Sequence, residues 1–213
     1  MILLRQTNVV LIANTFNLPI FHQVWLIDND IITKDEFAAG ESFFTPVAVN
    51  VRAPSYNFLI VPERAQVAFN SDFENSLPVI QRVIGGIASK LPHTPYTAMG
   101  LNFEYRIGHK DPKYLAATYR DVFLCKNNPL VTEFSSEDTM TGLYVSKDMF
   151  GARLKLDIKP IIADGNNMLQ LVFNTHLELS DTSEIHRLIG LWEENFQYAK
   201  HITESMQNIL EVE

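Results

Sequence analysis

Polar and apolar residues alternate along three segments in the second half of the chain, 96–107, 152–162 and 168–178. In the middle segment, for example, Leu154 would point to one face of a strand and Lys155 to the other. A period of two is typical of β-strands that are buried on one side only. The pattern therefore predicts an antiparallel sheet with one face on the core and a polar, accessible opposite face.

Weaker patterns predict the remaining elements. Apolar residues at helical spacing favour helices at 20–27, 77–90, 111–124 and 182–210, the last as one helix roughly 40 Å long. Pro19 is well placed to open the first of these helices. Short runs of strand-forming residues favour further strands at 9–16, 47–51, 56–61, 65–70 and 140–146. The segment 31–42 is predicted to be a connector with at most about one helical turn.

The predicted elements occur twice in the same order: strand, helix, three strands, helix. Two pairs of short sequences support a duplication. The sequence at 67–71 (VAFNS) resembles that at 171–175 (LVFNT), and the sequence at 82–85 (RVIG) resembles that at 187–190 (RLIG). Chance similarity between amphipathic segments is the alternative explanation.

Together these patterns predict an α+β fold. We expect a tandem pseudo-repeat of β-α-β-β-β-α that forms one curved antiparallel sheet with helices packed on one face. The two similar halves, approximately 1–92 and 93–213, would form a single domain, 1–213, because no Gly/Ser-rich linker separates them. This order of elements resembles the saddle-like outline of the TATA-binding protein, and the likeness concerns topology alone.

Charge and composition narrow the class of partner. The chain has 17 Lys and Arg residues against 25 Asp and Glu residues, a net charge of -8, and no Lys/Arg-rich run, so nucleic-acid binding is not expected. Cys125 is the only cysteine, which excludes an intrachain disulfide and a Cys-based zinc site and suits a reducing compartment. The N-terminal apolar run ends at Arg5, and no stretch approaches the roughly 18 apolar residues that a membrane helix needs. We expect a soluble, cytoplasmic protein that does not bind a membrane.

Motifs that would identify a common enzyme are absent from the sequence. The chain has no P-loop, GxGxxG, HExxH, GxSxG or EF-hand pattern, which favours a non-enzymatic protein without a cofactor. His176 and Glu178 would share one face of a strand, and with Glu104 or His186 they could bind a metal or transfer protons. The alternative is an ordinary solvated sheet face, and we expect no metal site.

The polar sheet face carries the candidates for ligand binding. Arg153, Lys155 and Lys159 form a row of cations that could hold an anionic ligand or an acidic partner, unless cross-strand carboxylates neutralise them. The full set of candidate ligand-binding residues is Glu104, Arg106, Arg153, Lys155, Lys159, His176 and Glu178. The joint between the halves, 93–96 (HTPY), could line a pocket or could simply set the direction of the chain.

The C-terminal helix supplies the candidates for an oligomer interface. Leu191, Tyr198 and Leu210 lie beside its main apolar stripe. A helix of the predicted length could overhang its sheet and expose apolar surface to a second subunit. The alternative is that the sheet and the other helices cover these side chains.

Three functions are compatible with these features. The first is a non-enzymatic protein-interaction or scaffold protein that acts as a homo-oligomer and binds itself, as a homodimer, or another protein. The second is a module that binds an anionic small molecule on the open sheet face or in the cleft between the halves. The third is an unusual enzyme that uses isolated His and Glu residues. We expect the first.

Overall fold

The computed structural model of the protein describes residues 1–69, 73–108, 123–124, 128–136 and 139–211. Most of the helix predicted at 111–124 lies outside these residues, and so does Cys125. Within them the fold is mixed α+β, because helices accompany a single antiparallel sheet.

Nine strands form this sheet in the described part of the chain. In chain order they are β1 (Ile2–Ala13), β2 (Glu41–Phe44), β3 (Val49–Arg52), β4 (Tyr56–Val61), β5 (Arg64–Phe69), β6 (Tyr96–Gly108), β7 (Leu143–Met149), β8 (Ala152–Ala163) and β9 (Asn166–Glu178). Their order across the sheet is β2-β3-β4-β5-β1-β6-β9-β8-β7, so β2 and β7 are the edges and the sheet is not closed. The predicted antiparallel α+β class is confirmed.

The first strands of the two halves meet at the centre of the sheet. β1 lies between β5 and β6, and Thr7 is opposite Phe69 on one side and opposite Phe103 on the other. Phe103 is in turn opposite Phe173 of β9. Each half therefore pairs its first strand with its own last strand, and the two first strands pair with each other.

Six helices accompany these strands in the described residues. They are α1 (Gln23–Asp28), α2 (Lys34–Ala39), α3 (77–90), α4 (Pro129–Glu133), α5 (Ser183–Gly190) and α6 (Trp192–Glu211). The centre of α3, Gln81–Gly85, is π-helical and lies between α-helical ends, Leu77–Ile80 and Gly86–Lys90. None of the helices in these ranges is both long and apolar enough to cross a bilayer.

The C-terminal helix is broken, contrary to the prediction of one helix at 182–210. α5 ends at Gly190, and Leu191 has φ -94° and ψ 9°, which departs from helical values. The side-chain amide of Asn195 donates to the Leu191 carbonyl at 2.7 Å and stabilises the break. α6 has 20 residues and spans about 30 Å rather than 40 Å.

The sequence pattern also misplaces two strands and misses one. β1 begins at Ile2, well before the predicted start at 9, and β7 runs later than predicted because Phe150 and Gly151, both with positive φ, form the turn to β8. β2 begins inside the predicted connector 31–42 and pairs with β3. The first half therefore has five strands rather than the four expected.

Capping side chains, rather than proline, determine where the first two helices begin. Pro19 lies in a short 3-10 turn, Leu18–Ile20. α1 begins after His22, whose Nδ1 accepts a hydrogen bond from a backbone N–H of the first turn at 3.2 Å. α2 opens with a capping box, in which Thr33 and Glu36 exchange side-chain-to-backbone hydrogen bonds of 2.9 and 3.1 Å.

One continuous apolar core lies between the helices and one face of the sheet. Trp192 of α6 is fully buried, and its ring centroid lies 4.8 Å from that of Phe103 and 6.2 Å from that of Phe69. These rings come from both halves of the chain. Burying side chains of this size stabilises the fold by roughly 1.5–3 kcal/mol each.

Candidate functional site

The sheet surface opposite the core, which we call the open face, carries all seven candidate ligand-binding residues. Arg153, Lys155 and Lys159 alternate along β8 with residues of the opposite face, and Arg153 lies directly opposite His176 of β9. The same alternation puts the other candidates on this face: Glu104, Arg106, His176 and Glu178. The structure therefore brings the predicted set onto one surface.

Glu104 and Arg106 form the most enclosed ion pair of the open face. The guanidinium Nη2 of Arg106 lies 2.8 Å from Oε1 of Glu104, and Nε donates to the same oxygen at 2.9 Å. The two side chains are only 19% and 21% exposed. Because both nitrogens contact one carboxylate, the Arg106 cation is held in place and its charge is offset.

The cations of β8 are also largely matched by carboxylates. Arg153 lies 3.0 Å from Asp148, and Lys159 lies 3.5 Å from Asp157. Lys155 has no ion-pair partner among the described residues. The Arg153–Asp148 pair is the cross-strand neutralisation considered as the alternative to an anion site, whereas Lys159 is paired within its own strand.

The open face does not assemble the catalytic or metal cluster considered from the sequence. His176 lies 3.7 Å from Glu178, but Glu104 is opposite Val172, on the order of 13 Å from His176 along the strand. His186 is on α5, where it hydrogen-bonds a side chain of α3. The described residues contain no group of three or more His, Cys, Asp or Glu that could hold a metal ion.

Three asparagines form a hydrogen-bonded row across the central strands of the open face. Asn174 Nδ2 donates to Asn102 Oδ1 at 2.5 Å, and Asn102 Nδ2 donates to Asn8 Oδ1 at 2.8 Å. Their backbones are directly opposite one another in β9, β6 and β1. The three amides are half-buried and point their dipoles in one direction, so the row is a rigid polar surface.

Gly100 is buried in β6 beside this row. It lies opposite Val10 and His176 on the open face of β6. A Cβ built at this position would meet its nearest atoms, the amide nitrogens of Asn174 and Asn102, at 3.5 and 3.7 Å, which is ordinary contact. Packing within the chain therefore does not require glycine here, and glycine inside a strand often marks the close approach of another backbone or a ligand.

The three candidates for an oligomer interface on the C-terminal helices differ in how far the structure describes and buries them. Leu191 is half-buried at the break between α5 and α6. Tyr198 is half-buried as well, with its ring 6.2 Å from that of Phe150 and beneath the Lys147 ammonium at 4.8 Å. The side chain of Leu210 lies outside the described part of the structure. The helix on which this hypothesis depended is interrupted at Leu191 and is shorter than expected, and the oligomer interface stays a prediction.

A cavity of about 710 Å³ lies at the joint between the two halves. Its described lining includes Lys90 and His93 but no carboxylate. Tyr96 braces the corner, because its hydroxyl donates to the Leu91 carbonyl at 3.1 Å and its ring contacts that of Phe16 at 6.0 Å between centroids. Burial raises the pKa of Tyr96, so this hydroxyl stays protonated near neutral pH. Of the two roles considered for the joint, His93, Thr94 and Pro95 have the first, because they line this cavity.

No protein-family model matches this chain, and no characterised protein is significantly similar to it in sequence. The function is therefore argued from the geometry of the open face and of the cavities.

Sequence reasoning missed Asn8 and Gly100, which complete the centre of the open face. Asn8 follows the polar residues Gln6 and Thr7 in β1, and the strand was predicted to begin only after it. Gly100 lies inside a strand whose alternation is clear from its larger neighbours. The available signal was the register, because Asn8 and Asn174 lie on either side of Asn102 only once the strand order is known.

Proposed function

We propose that this chain is a non-enzymatic interaction protein that acts as a homodimer and uses the open face as its interface. A cytoplasmic location is part of the proposal, because a single cysteine, Cys125, suits a reducing compartment. The observation that carries the proposal is Gly100, a strand position on the open face where a side chain would fit but none is present. A glycine that the chain's own packing does not require is accounted for by a second copy whose surface approaches the β6 backbone.

Two alanines also lie on the open face near Gly100. Ala98 lies on the same face of β6 and is opposite Ile12 of β1, and Ala68 of β5 is opposite Asn8. Ala98 is therefore the open-face neighbour of Gly100 along β6, whereas Ala68 lies beyond Asn8, and the half-buried Val10 and Ile12 of β1 flank the two small residues of β6. Small residues on β6 permit close contact with the backbone of a second copy, and the polar side chains around them can hydrogen-bond to it.

The distribution of charge supports a two-fold interface. A two-fold axis brings the same patch of both copies together, so each patch must be complementary to itself. The open face carries cations on β8 and carboxylates on β6 and β9, and most of them are already paired. A patch of mixed sign can face a second copy without net repulsion, although the whole chain has a charge of -8.

The proposal also includes a duplication of the two halves. If Phe69 corresponds to Phe173, as the local sequences suggest, then the pair Thr7–Phe69 corresponds to the pair Phe103–Phe173. Thr7 and Phe103 are directly opposite each other. One two-fold relation between β1 and β6 therefore accounts for three separate registers, and β2 is an addition to the first half.

Charge reversal on and off the open face tests the interface. Sedimentation equilibrium of the wild-type chain should give twice the chain mass of 24.3 kDa. Lys155→Glu should weaken the dimer by about tenfold, because a two-fold interface contains the substitution twice. Lys34→Glu, on the exposed surface of α2, changes the net charge equally and should leave the dimer intact. A wild-type monomer, or equal effects of the two variants, would contradict the proposal.

A second candidate function is the binding of an anionic small molecule in the joint cavity. Lys90 and His93 contribute the titratable side chains of its described lining, and prolines and Phe16 contribute apolar surface. The observation that favours it is the ammonium group of Lys90 in a cavity without a described carboxylate. Calorimetric titration with hexanoate should show binding that Lys90→Gln weakens, and no heat with hexanoate would exclude this candidate.

A further inference from the structure

A second cavity, independent of the open face, lies on the helical side of the sheet at the start of β1. Its volume is about 530 Å³, which is within the range of small-molecule sites. Apolar side chains line it from β1, α6 and the turn before α3. They are Ile2, Leu4, Phe73 and Phe196.

Tyr105 lines this cavity and brings an unpaired hydroxyl to it. The residue is 3% exposed, and its hydroxyl has no hydrogen-bond partner among the described residues. A buried hydroxyl without a partner costs roughly 1–3 kcal/mol, so a tyrosine here is unfavourable for folding alone. A ligand atom that hydrogen-bonds the hydroxyl would remove this cost.

The charged residues around the cavity are unbalanced. Glu74 and Glu204 contribute two carboxylates and Lys200 contributes one ammonium group. Lys200 lies 3.6 Å from Glu74, whereas Glu204 has no ion-pair partner among the described residues. The carboxylate of Glu204 therefore leaves a net negative charge at the margin of the cavity.

We propose that this cavity binds a small organic cation, with an ammonium group on an apolar body. The apolar body would lie against Phe73 and Phe196, whose rings also attract a cation through their faces. The ammonium would donate to the Tyr105 hydroxyl in the field of Glu204. Burial raises the pKa of Tyr105, and the charges of Glu204 and Glu74 raise it further, so the hydroxyl stays neutral and can accept this hydrogen bond.

Three ligands of similar shape test which sign of ligand charge the cavity prefers. The full chain is titrated at pH 7 with 2-phenylethylamine, 2-phenylethanol and phenylacetate, and binding is followed by NMR chemical shifts. The amine should bind at least about threefold more tightly than the neutral alcohol, and phenylacetate should bind least. No saturable binding of the amine, or the same affinity for all three ligands, overturns the proposal.

Substitutions then locate the site. Glu204→Gln should weaken binding of the amine by about threefold without changing binding of the alcohol, whereas Glu194→Gln, an exposed change on the same helix, should alter neither. Tyr105→Phe should weaken binding of the amine by about fivefold and leave the melting temperature of the free chain unchanged or raised. An unchanged affinity in Glu204→Gln, or a clear loss of thermal stability in Tyr105→Phe, contradicts the assignment.

Discussion

The guanidinium Nη2 of Arg82 lies 2.6 Å from the carboxylate Oε1 of Glu36, which joins α3 to α2. The other terminal nitrogen of Arg82 donates to the Ile31 carbonyl at 2.7 Å, and Tyr56 of β4 lies within 3.4 Å. Both charged side chains are less than a quarter exposed. Arg82 therefore connects a helix, a loop and the sheet in the first half of the chain.

Removal of this arginine should destabilise the protein. Arg82→Ala should lower the free energy of unfolding by about 2 kcal/mol, because charge-assisted hydrogen bonds are lost. The carboxylate of Glu36 would then keep only its hydrogen bond from the backbone N–H of Thr33. Arg82→Lys should recover only part of the loss, because a lysine keeps the positive charge but cannot contact both acceptors in the same geometry. Urea denaturation measures both, with Lys34→Ala on the surface of α2 as the control. Equal stability of Arg82→Ala and the wild type would contradict this role.

Glu36 should make the stability depend on pH. Burial raises its pKa, but the backbone N–H of Thr33 and the guanidinium of Arg82 lower it more, so the net shift is downward. A lowered pKa in the folded state means that the stabilisation is present above the unfolded pKa of about 4.3 and is lost as the pH falls through the folded value.

The matching measurement is urea denaturation between pH 7 and pH 3. Glu36→Gln should be less stable than the wild type at pH 7, and the difference should shrink as the pH falls below about 4. A constant difference across this range would show that the charge of Glu36 does not contribute.

Two glycines with open surroundings should respond in opposite ways to the same substitution. Neither Gly165 nor Gly190 has any atom within 4 Å of a built Cβ, but Gly165 has φ +75° in the β8–β9 turn. Gly165→Ala should therefore cost about 1 kcal/mol of stability through backbone strain alone. Gly190→Ala, at the end of α5, should be neutral or stabilising by up to about 1 kcal/mol. Thermal unfolding of the two variants compares them, and a loss of stability in both would contradict this explanation.

The long strands could be predicted from the sequence because their alternation is regular. β6, β8 and β9 each place bulky apolar residues at every second position, and turns such as Asp164-Gly165 mark their ends. β2 could not be predicted, because it has four residues, of which Phe43 and Phe44 are adjacent and largely exposed. Its position is determined by pairing with β3, which a local pattern does not contain.

The break in the C-terminal helix was hidden for a different reason. The apolar stripe keeps its helical spacing from Leu188 and Ile189 to Trp192, so the helical period gives no sign of an interruption. A glycine in a helix weakens it by about 1 kcal/mol. The break itself depends on the Asn195 side chain, which donates a hydrogen bond to the Leu191 carbonyl.

The composition of the open face could be predicted, but its internal pairing could not. Alternation alone put Arg153, Lys155 and His176 on one surface. Which cations contact a carboxylate depends on side-chain conformation, and the asparagine row depends on a register set by the strand order. The position of Gly100 beside that row depends on the same register.

The most direct test of the interface is the dimer dissociation constant of Gly100→Lys, measured by sedimentation equilibrium beside Gly190→Lys. Both variants add the same side chain at a glycine, the first on the open face and the second on α5, and circular dichroism checks that both are folded. We predict that Gly100→Lys weakens the dimer by at least about tenfold and that Gly190→Lys sediments like the wild type. A folded Gly100→Lys chain with the wild-type dissociation constant, or a wild-type chain that stays monomeric, would contradict the account.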